Sequence, residues 1–480
     1  IGLILTLAFG VLAGGAGYWQ VIRSEELSSA PDNPAVIAAA RQVLRGRIFD
    51  RDGTVLASNK RDSNGEPYRV YATPAVSQVV GYASNLYGSA GLERTFGAEL
   101  TGLNDPDPIR QLLRKFQEDP SDPQSLTLSL SLPLQRAAIR GLGDDRGAVV
   151  MLDPRTGEIL ALASTPTYDA SAISDPATAR ETFEALQADK ARPLLPRATQ
   201  GRYVPGSVFK IVTAIAALGS GAIEADTTFP NQRAAEREGL VVEGFRIREH
   251  AGVPIRTFDL AGATEVSSNI FFALAGLETG GGNLAEWAGR LGFGEPLDFD
   301  LPTAISQVTN GNGSQPGGFV DDVELANAAY GQAETFVTPL QMALVAATVA
   351  NGGELMRPHL VTELTGKDGT RSIAPRSIGR IISDADADAI TEAMIEAVEG
   401  DLGRRFTPGA KVPGILTAGK SGTAELGGKG EPHSWFIGFA PADNPEIAIA
   451  VLVERGGRGG ERAAPLAGSL LETYFDSVAP

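Results

Sequence analysis

The chain has 480 residues, enough for about two or three domains, and its 41 basic and 58 acidic side chains give a formal net charge of −17. Residues 23–142 hold 14 acidic and 14 basic side chains, so the acidic excess lies in residues 143–480, and no basic stripe indicates nucleic-acid binding. The absence of cysteine excludes disulfides, thiol catalysis and thiolate metal sites, and three widely separated histidines give little support for a metal site.

The first predicted element is a membrane anchor over residues 1–22. This stretch carries no charge and is long enough to span about 30 Å of hydrocarbon. Tyr18 and Trp19 lie near its end, where aromatic residues of the membrane interface are common. An uncleaved anchor is favoured over a secretory signal peptide because the apolar stretch exceeds the usual hydrophobic region of such peptides. Since the chain begins at Ile1 rather than methionine, we expect residues before it, so flanking charges do not orient the anchor.

Residues 23–142 are predicted to form a mixed, extended N-terminal module. Short apolar runs punctuated by turn residues predict strands and helices in this module. The strands are expected at residues 46–49, 55–57, 68–71 and 126–130, and the helices at 109–116 and 133–142.

Residues 143–480 are predicted to form one domain with an α+β fold. Strand pairs are expected near both of its ends, and long apolar helices between them. The strands are predicted at residues 148–152, 158–163, 434–439 and 447–453, and the helices include 211–218 and 340–350. This arrangement predicts an antiparallel sheet flanked by helices.

Ser207 and Lys210 form the first candidate site. A turn at Pro205-Gly206 precedes an apolar run, so Ser207 is expected in the first helical turn with Lys210 on the same face. A buried lysine has a lowered pKa and can take a proton from a serine hydroxyl. The alternative is a capping serine followed by a lysine whose ammonium reaches solvent.

Two further motifs follow in the chain. Ser267-Ser268-Asn269 offers a hydroxyl that relays protons and an amide that holds a lysine, or simply another helix cap. Lys420-Ser421-Gly422-Thr423 offers a cation for a substrate carboxylate and a strand edge for an extended peptide, or simply a surface hairpin. A second ammonium near Lys210 would lower its pKa further.

Together and in this order, the three motifs resemble those of penicillin-binding proteins and serine β-lactamases, with Ser268 in place of the common acid and Ser421 in place of threonine. The chain as a whole resembles a class B penicillin-binding protein, a peptidoglycan D,D-transpeptidase. Further matching segments are Arg45–Ala57, Gly91–Glu93, Gly331–Gln332, Thr338–Gln341 and Trp435–Pro441.

The resemblance implies a role for each motif residue and no cofactor or metal. Ser207 would attack the penultimate D-Ala carbonyl of a peptidoglycan stem peptide, with Lys210 as general base. The supporting residues implied are Ser267 and Asn269, which relay protons and orient Lys210, and Lys420, Ser421, Gly422 and Thr423, which bind the substrate. Backbone N–H groups of Ser207 and Thr423 would form the oxyanion hole, and β-lactams would trap Ser207.

The resemblance also implies a single-pass protein of the bacterial cell membrane with an extracytoplasmic catalytic domain. Its expected partner is a membrane glycan polymerase of the shape, elongation, division and sporulation family, with residues 1–142 as the adaptor. Gly10 and Gly14 lie one helical turn apart, a small-residue face that permits close helix contact in lipid. The sequence does not distinguish a role in elongation, division or sporulation.

Three alternative functions remain open at this point, one of them a structural scaffold with a dead site, although all three motifs are intact. A D,D-carboxypeptidase or β-lactamase would let water resolve the acyl-enzyme, and Glu324-Leu-Ala-Asn327 is superficially similar to the deacylation motif of some β-lactamases. We expect that segment instead on the helix that leads to Gly331-Gln332. A non-catalytic β-lactam sensor would carry the same motifs without turnover.

Overall fold

A computed structural model describes residues 44–102, 122–427 and 430–478, together with Gly2, Gly10 and Gly15. The predicted anchor over residues 1–22 lies outside these ranges except for the three glycines, as does the predicted helix at 109–116. Within the described ranges, no helix combines the length and hydrophobicity needed to cross a membrane.

The N-terminal module consists of short elements. In chain order they are β1 (Ile48–Phe49), β2 (Val55–Arg61), β3 (Pro67–Tyr71), α1 (Ser77–Val80), β4 (Ala83–Ser84), β5 (Gly88–Ser89), α2 (Leu92–Thr95), α3 (Gly97–Thr101), β6 (Ser125–Leu128) and α4 (Leu132–Leu142). β2 runs four residues beyond its predicted end because its polar tail pairs with β3, with Asn59 opposite Arg69. An apolar pattern does not reveal such a tail.

The remaining elements belong to the larger domain. In chain order they are β7 (Gly147–Leu152), β8 (Ile159–Thr165), α5 (Ala170–Ser174), α6 (Ala179–Ala188), α7 (Arg197–Gln200), α8 (Lys210–Gly219), α9 (Gln232–Glu238), β9 (Leu240–Val242), β10 (Phe245–Ile247), α10 (Leu260–Glu265), α11 (Asn269–Arg290), α12 (Asp322–Ala328), α13 (Pro339–Ala350), β11 (Glu354–Met356), β12 (Val361–Gly366), β13 (Gly369–Ser372), β14 (Ser377–Arg380), α14 (Asp384–Glu399), α15 (Gly403–Phe406), β15 (Ala418–Ala424), β16 (His433–Ala440), β17 (Ile447–Val453) and α16 (Ala463–Val478).

The core of this domain is a five-stranded antiparallel sheet in the order β15-β16-β17-β7-β8. Every residue of β7, β8 and β17 is buried, because alternate side chains face helices on opposite sides of the sheet. Val150 and Leu452 pack in the cluster that includes α13, whereas Val149 and Val451 pack in the cluster with α4 and α16. The predicted antiparallel sheet flanked by helices is confirmed.

A second, mixed sheet joins the two parts of the chain. Its order is β13-β12-β6-β1-β2-β3, with β1 parallel to β6 and β6 antiparallel to β12. Strands β12 and β13 come from residues far beyond 142, so the sheet spans the predicted domain boundary. The pairing buries Leu126 and Leu364, which oppose each other across the two strands.

A buried ion cluster holds the N-terminal module together. Arg45 Nε donates to Glu93 Oε2 over 2.7 Å, and Arg69 Nε donates to Glu93 Oε1 over 2.5 Å. The Tyr71 hydroxyl donates to the same carboxylate over 3.3 Å. Arg45 and Glu93 come from two segments that carry the family resemblance, and the fold brings them into contact across 48 residues of sequence.

Candidate active site

Ser207 lies in a single 3-10 turn, Gly206–Phe209, and Lys210 is the first residue of α8. The sequence predicts a first α-helical turn here, and the tighter turn has a local cause. Gly206 has φ +57°, and a Cβ at this position would lie 2.7 Å from the carbonyl oxygen of Thr423. Glycine therefore lets the turn that carries Ser207 approach β15 directly, with Ser207 half-buried.

Lys210 is fully buried, as predicted. Its Nζ donates to the Ser267 carbonyl over 2.6 Å and to Asn269 Oδ1 over 2.8 Å, and it lies 3.2 Å from Ser267 Oγ. These contacts involve neutral oxygen atoms. Burial lowers the pKa of Lys210 to about 7, and the more distant carboxyl groups, Glu249 above all, oppose that shift.

The Ser267–Asn269 segment has two roles, contact with Lys210 and capping of a helix. Ser267 has φ +59° in the turn between α10 and α11, an unusual conformation for serine that brings both its carbonyl and its hydroxyl to Lys210. Ser268 caps α11 by accepting from the Phe271 N–H over 3.0 Å. The capping alternative thus holds for Ser268, while Ser267 and Asn269 contact the lysine.

Two carboxyl groups behind this turn were missed by sequence reasoning. Glu249 accepts from the backbone N–H groups of Asn269 and Ile270, each over 2.9 Å. Glu236 lies beside it and reaches Ser268 Oγ. Both residues come from a charged segment that resembles an ordinary solvated surface, so no sequence signal separates them from other glutamates.

The Lys420–Thr423 motif lies on β15, the edge strand of the central sheet, which forms a hairpin with β16. The motif residues are buried or half-buried, so the surface position of the hairpin alternative is wrong. Lys420 is 1% exposed, and its Nζ donates to the Ser421 carbonyl over 3.0 Å. Ser421 Oγ lies 3.0 Å from Thr407 Oγ1, and half-buried Thr423 accepts from the Gly459 N–H over 3.2 Å. Burial and the charge of Lys210 hold the pKa of Lys420 well below its ordinary value.

Gly422 has a packing role. A Cβ at this position would lie 3.0 Å from the Pro205 carbonyl oxygen and 3.0 Å from Val208 Cγ1. Glycine therefore allows β15 to lie against the turn that carries Ser207. The first and third motifs are brought together by close backbone approach at Gly206 and Gly422, and the second motif joins them through Lys210.

A buried network that sequence reasoning missed fixes the segment before Ser207. The Tyr203 hydroxyl donates to Glu454 Oε1 over 2.9 Å, and Arg197 Nε donates to the same oxygen over 2.7 Å. Burial, reinforced by Glu454, raises the pKa of Tyr203. Trp435 Nε1 donates to the Val204 carbonyl over 3.0 Å, which ties this segment to β16. Tyr203 and Val204 begin the segment that carries Ser207 and Lys210, and Trp435 lies in another segment that the sequence singled out, whereas Arg197 and Glu454 were missed.

Glu324 is engaged in local structure. It lies on α12, the helix predicted to lead to Gly331-Gln332. Its carboxylate accepts from Thr309 Oγ1 over 2.6 Å and from the Val320 N–H over 2.7 Å. These bonds give Glu324 a role in holding the loop before α12. Across the described ranges, no group of three or more histidine, aspartate and glutamate side chains is arranged to hold a metal ion.

Two family models match the chain. The model described as the penicillin binding protein transpeptidase domain matches residues 147–472, which is more than half of the chain. The model described as the penicillin binding protein A dimerisation domain matches residues 45–125. The two matches cover the larger domain and the N-terminal module respectively.

Curated relatives and solved structures match the chain over nearly its full length. The peptidoglycan D,D-transpeptidase PbpA of Mycolicibacterium smegmatis is 34% identical over 487 residues, covering 97% of this chain and 96% of the relative. The protein of the same name from Mycobacterium tuberculosis is 32% identical, covering 94% of this chain and 93% of the relative. A structure of penicillin-binding protein A from M. tuberculosis, a ceftriaxone acyl-enzyme complex, has a TM-score of 0.78 and 31% identity, covering 91% of this chain and 99% of that one.

Proposed function

Because this chain belongs to the penicillin-binding protein transpeptidase family, we propose that it is a peptidoglycan D,D-transpeptidase whose acyl-enzyme forms on Ser207. One observation carries the residue assignment. The buried Lys210 Nζ, one turn after Ser207, is held by oxygen atoms of Ser267 and Asn269, and no carboxylate in the described ranges lies within ion-pair distance of it. That environment favours a neutral amine, which can accept a proton.

In the proposed acylation step, Ser207 Oγ attacks the carbonyl carbon of the penultimate D-Ala of a stem peptide while its proton passes to Lys210 Nζ. The tetrahedral intermediate collapses, the bond to the terminal D-Ala nitrogen breaks, and the departing amine receives a proton from the lysine through Ser267 Oγ. The N–H groups of Ser207 and Thr423 are assigned to the oxyanion hole, where close packing of the turn on β15 supports them.

In the proposed second step, an amine of a neighbouring stem peptide attacks the ester carbonyl of the acyl-enzyme. Its proton passes to Lys210, the bond to Ser207 Oγ breaks, and the serine is reprotonated as the cross-linked product leaves. A β-lactam would undergo only the first step, because its opened ring keeps the departing amine attached. The acyl-enzyme structure of the M. tuberculosis relative supports this expectation.

The substrate carboxylate is assigned to the Lys420–Thr423 strand. Lys420, Ser421 and Thr423 offer an ammonium group and two hydroxyls along one edge strand that touches the Ser207 turn. Burial and Lys210 lower the pKa of Lys420, and a bound carboxylate would supply the counter-charge that favours its protonated form. The proposed substrate-binding strand therefore gains its charge when the substrate arrives.

The experiment that tests the proposed function combines covalent labelling with product analysis. Ser207→Ala should abolish labelling by a fluorescent penicillin and the cross-linking of stem peptides, whereas the matched control Ser220→Ala, at the other end of α8, should retain both. Labelling that survives in Ser207→Ala would refute the nucleophile assignment. Wild-type protein that yields only the hydrolysed stem peptide, or turns over a reporter cephalosporin rapidly, would instead favour the hydrolase.

The N-terminal part of the chain is proposed to be a membrane-anchored adaptor. The uncharged stretch over residues 1–22 supports a single-pass anchor with an extracytoplasmic catalytic domain, and the ion cluster around Glu93 gives the module a defined shape. The proposed partner is a membrane glycan polymerase of the shape, elongation, division and sporulation family. A second copy of this chain is the competing partner, since the model matching residues 45–125 is described as a dimerisation domain.

A truncation tests the proposed adaptor role. A protein beginning near Gly143 would lack β1–β6, so its labelling by penicillin must be checked first as a measure of folding. If it labels, we expect it to lose co-purification with the polymerase and stimulation of glycan synthesis. Replacing Gly10 and Gly14 by leucine in the full chain should weaken the same contact without changing the labelling. Full stimulation by the truncated protein would refute the adaptor role.

A further inference from the structure

Two carboxyl groups converge on a single hydroxyl behind the turn that holds Lys210. Glu236, at the end of α9, is only 9% exposed, and Glu249 lies in the segment after β10. Ser268 Oγ lies 3.2 Å from Glu236 Oε1 and 2.6 Å from Glu249 Oε1. The three side chains are therefore close enough to share protons.

If both carboxyl groups were ionised, the Ser268 hydroxyl would hold the only proton available for its contacts with Glu236 and Glu249. A second proton is needed for both contacts to be hydrogen bonds. Ser268 has a single hydroxyl proton, and its oxygen already accepts from the Phe271 N–H. The contact with Glu249 is the shorter one, so the Ser268 hydroxyl donates its proton to Glu249. With Glu236 also ionised, its Oε1 would face an oxygen without a proton and keep only a long hydrogen bond of 3.5 Å from Gln232 Nε2. Its buried Oε2 has no hydrogen-bond partner in the described ranges. A buried carboxylate left so poorly compensated is costly.

We propose that Glu236 is protonated and donates to Ser268 Oγ, that Ser268 donates to the ionised Glu249, and that Glu249 is thereby a positioning residue for Lys210. The link from Glu249 to the lysine is short. Its carboxylate accepts from the backbone N–H of Asn269, whose side-chain oxygen accepts from Lys210 Nζ over 2.8 Å. The inference rests on the proposed role of Lys210 as the general base.

The surrounding charges agree with one proton on the pair. Burial, followed by the charge of Glu249, raises the pKa of Glu236 to about 8. Ionisable groups that face the pair include Lys210, across the turn, Tyr330, whose pKa burial, Glu425 and Glu249 raise, and His250, next to Glu249. Burial lowers the pKa of His250. The pair then carries one negative charge. Glu249 binds the backbone of the turn and does not contact Lys210 Nζ.

Matched amide and alanine substitutions test the proton assignment. In Glu236→Gln the amide N–H replaces the acid O–H as donor to Ser268, so the second-order rate constant for acylation by a fluorescent penicillin should stay within about threefold of wild type. Glu249→Gln removes a charged acceptor shared by two backbone N–H groups, and acylation should fall roughly 10–100-fold. Glu236→Ala should be slower than Glu236→Gln, because it lacks the donor.

A remote acidic cap supplies the control. Asp321→Asn alters the N-cap of α12, where Asp321 accepts from the Glu324 N–H, and should leave the acylation rate near wild type. Equal losses in Glu236→Gln and Glu249→Gln, or full activity in Glu249→Gln, would overturn the proposal. Failure of the proposed function is a separate result, because it would appear as labelling of Ser207→Ala.

The pH dependence of stability gives a second, independent test of the proton on Glu236. The folded protein holds the Glu236 proton more tightly than the unfolded chain does. The unfolding free energy of wild type should therefore fall relative to Glu236→Gln as pH rises from the ordinary carboxyl pKa of 4.5 to about 8. Thermal melts of both proteins across this range should diverge. Parallel curves would mean that Glu236 is ionised in the folded protein, which overturns the assignment.

Discussion

The N-terminal module and the proposed active site both bury cations, but the groups that surround the cations differ. Arg69 in the module is 2% exposed and lies against Glu93, whose other carboxylate oxygen contacts Arg45. Lys210 in the active site is fully buried among neutral oxygen atoms, with its nearest carboxylates one layer behind. We infer from this contrast that a carboxylate in contact favours the charged form of a buried cation, whereas neutral oxygen atoms favour loss of a proton from a lysine.

The choice between arginine and lysine follows the same difference in surroundings. A guanidinium group stays protonated in proteins and binds a carboxylate in fixed geometry, which suits a cluster that holds two segments together. An amine can lose its proton when burial is not offset by a counter-ion in contact. The chain uses arginine for most of its positive charges and has few lysines, yet two of these are buried in the active site.

The largest expected effect on acylation comes from replacing the buried lysine of the proposed active site by arginine, the cation that the module uses. Lys210→Arg keeps a positive charge but removes a base that can accept a proton, so acylation by fluorescent penicillin should slow by about 10²–10⁴-fold. The matched control is Lys190→Arg at an exposed position, which should acylate normally. Acylation of Lys210→Arg at the wild-type rate would mean that position 210 serves only as a charge.

Breaking the ion cluster of the module should lower the stability of the protein and leave the acylation rate unchanged. Glu93→Gln leaves two buried or half-buried guanidinium groups without their carboxylate, and the free energy of unfolding should fall by about 3–5 kcal/mol. Denaturant unfolding would measure that loss, and penicillin labelling of the folded fraction should keep its rate. A slowed acylation rate without loss of stability would contradict the division of labour between the two regions.

The second buried lysine should show an intermediate effect. Lys420→Ala removes the ammonium group proposed to bind the substrate carboxylate, and acylation by a carboxylate-bearing β-lactam should slow roughly 10–100-fold. Ser207 should remain reactive at high β-lactam concentration. Lys367→Ala, at an exposed position, is the control. An unchanged rate in Lys420→Ala would assign the carboxylate to other residues.

Local patterns predict much of the fold and the motif residues. Strands β16 and β17 and helix α8 follow from apolar runs in which neighbouring residues share the same environment. The burial of Lys210 follows from an apolar run around it. These features depend on residues close in sequence, so the sequence alone is sufficient to predict them.

Features that depend on distant pairing could not be predicted. The pairing of β12 with β6 joins segments more than 200 residues apart, and neither strand contains a signal for its partner. The 3-10 turn at Ser207 depends on contact between Gly206 and β15. The carboxyl pair of Glu236 and Glu249 depends on a fold that brings two polar segments beneath Ser268.

The pH dependence of acylation tests the central claim most directly, namely that Lys210 acts on Ser207 as a neutral amine near neutral pH. Burial lowers the pKa of Lys210 to about 7, and the base is active only above that pKa. The second-order rate constant for fluorescent penicillin, measured in wild type from pH 5 to 9, should rise about tenfold per pH unit below 7 and then level off. A rate that is constant across this range, or that rises only toward the ordinary lysine pKa of 10.5, would contradict the account.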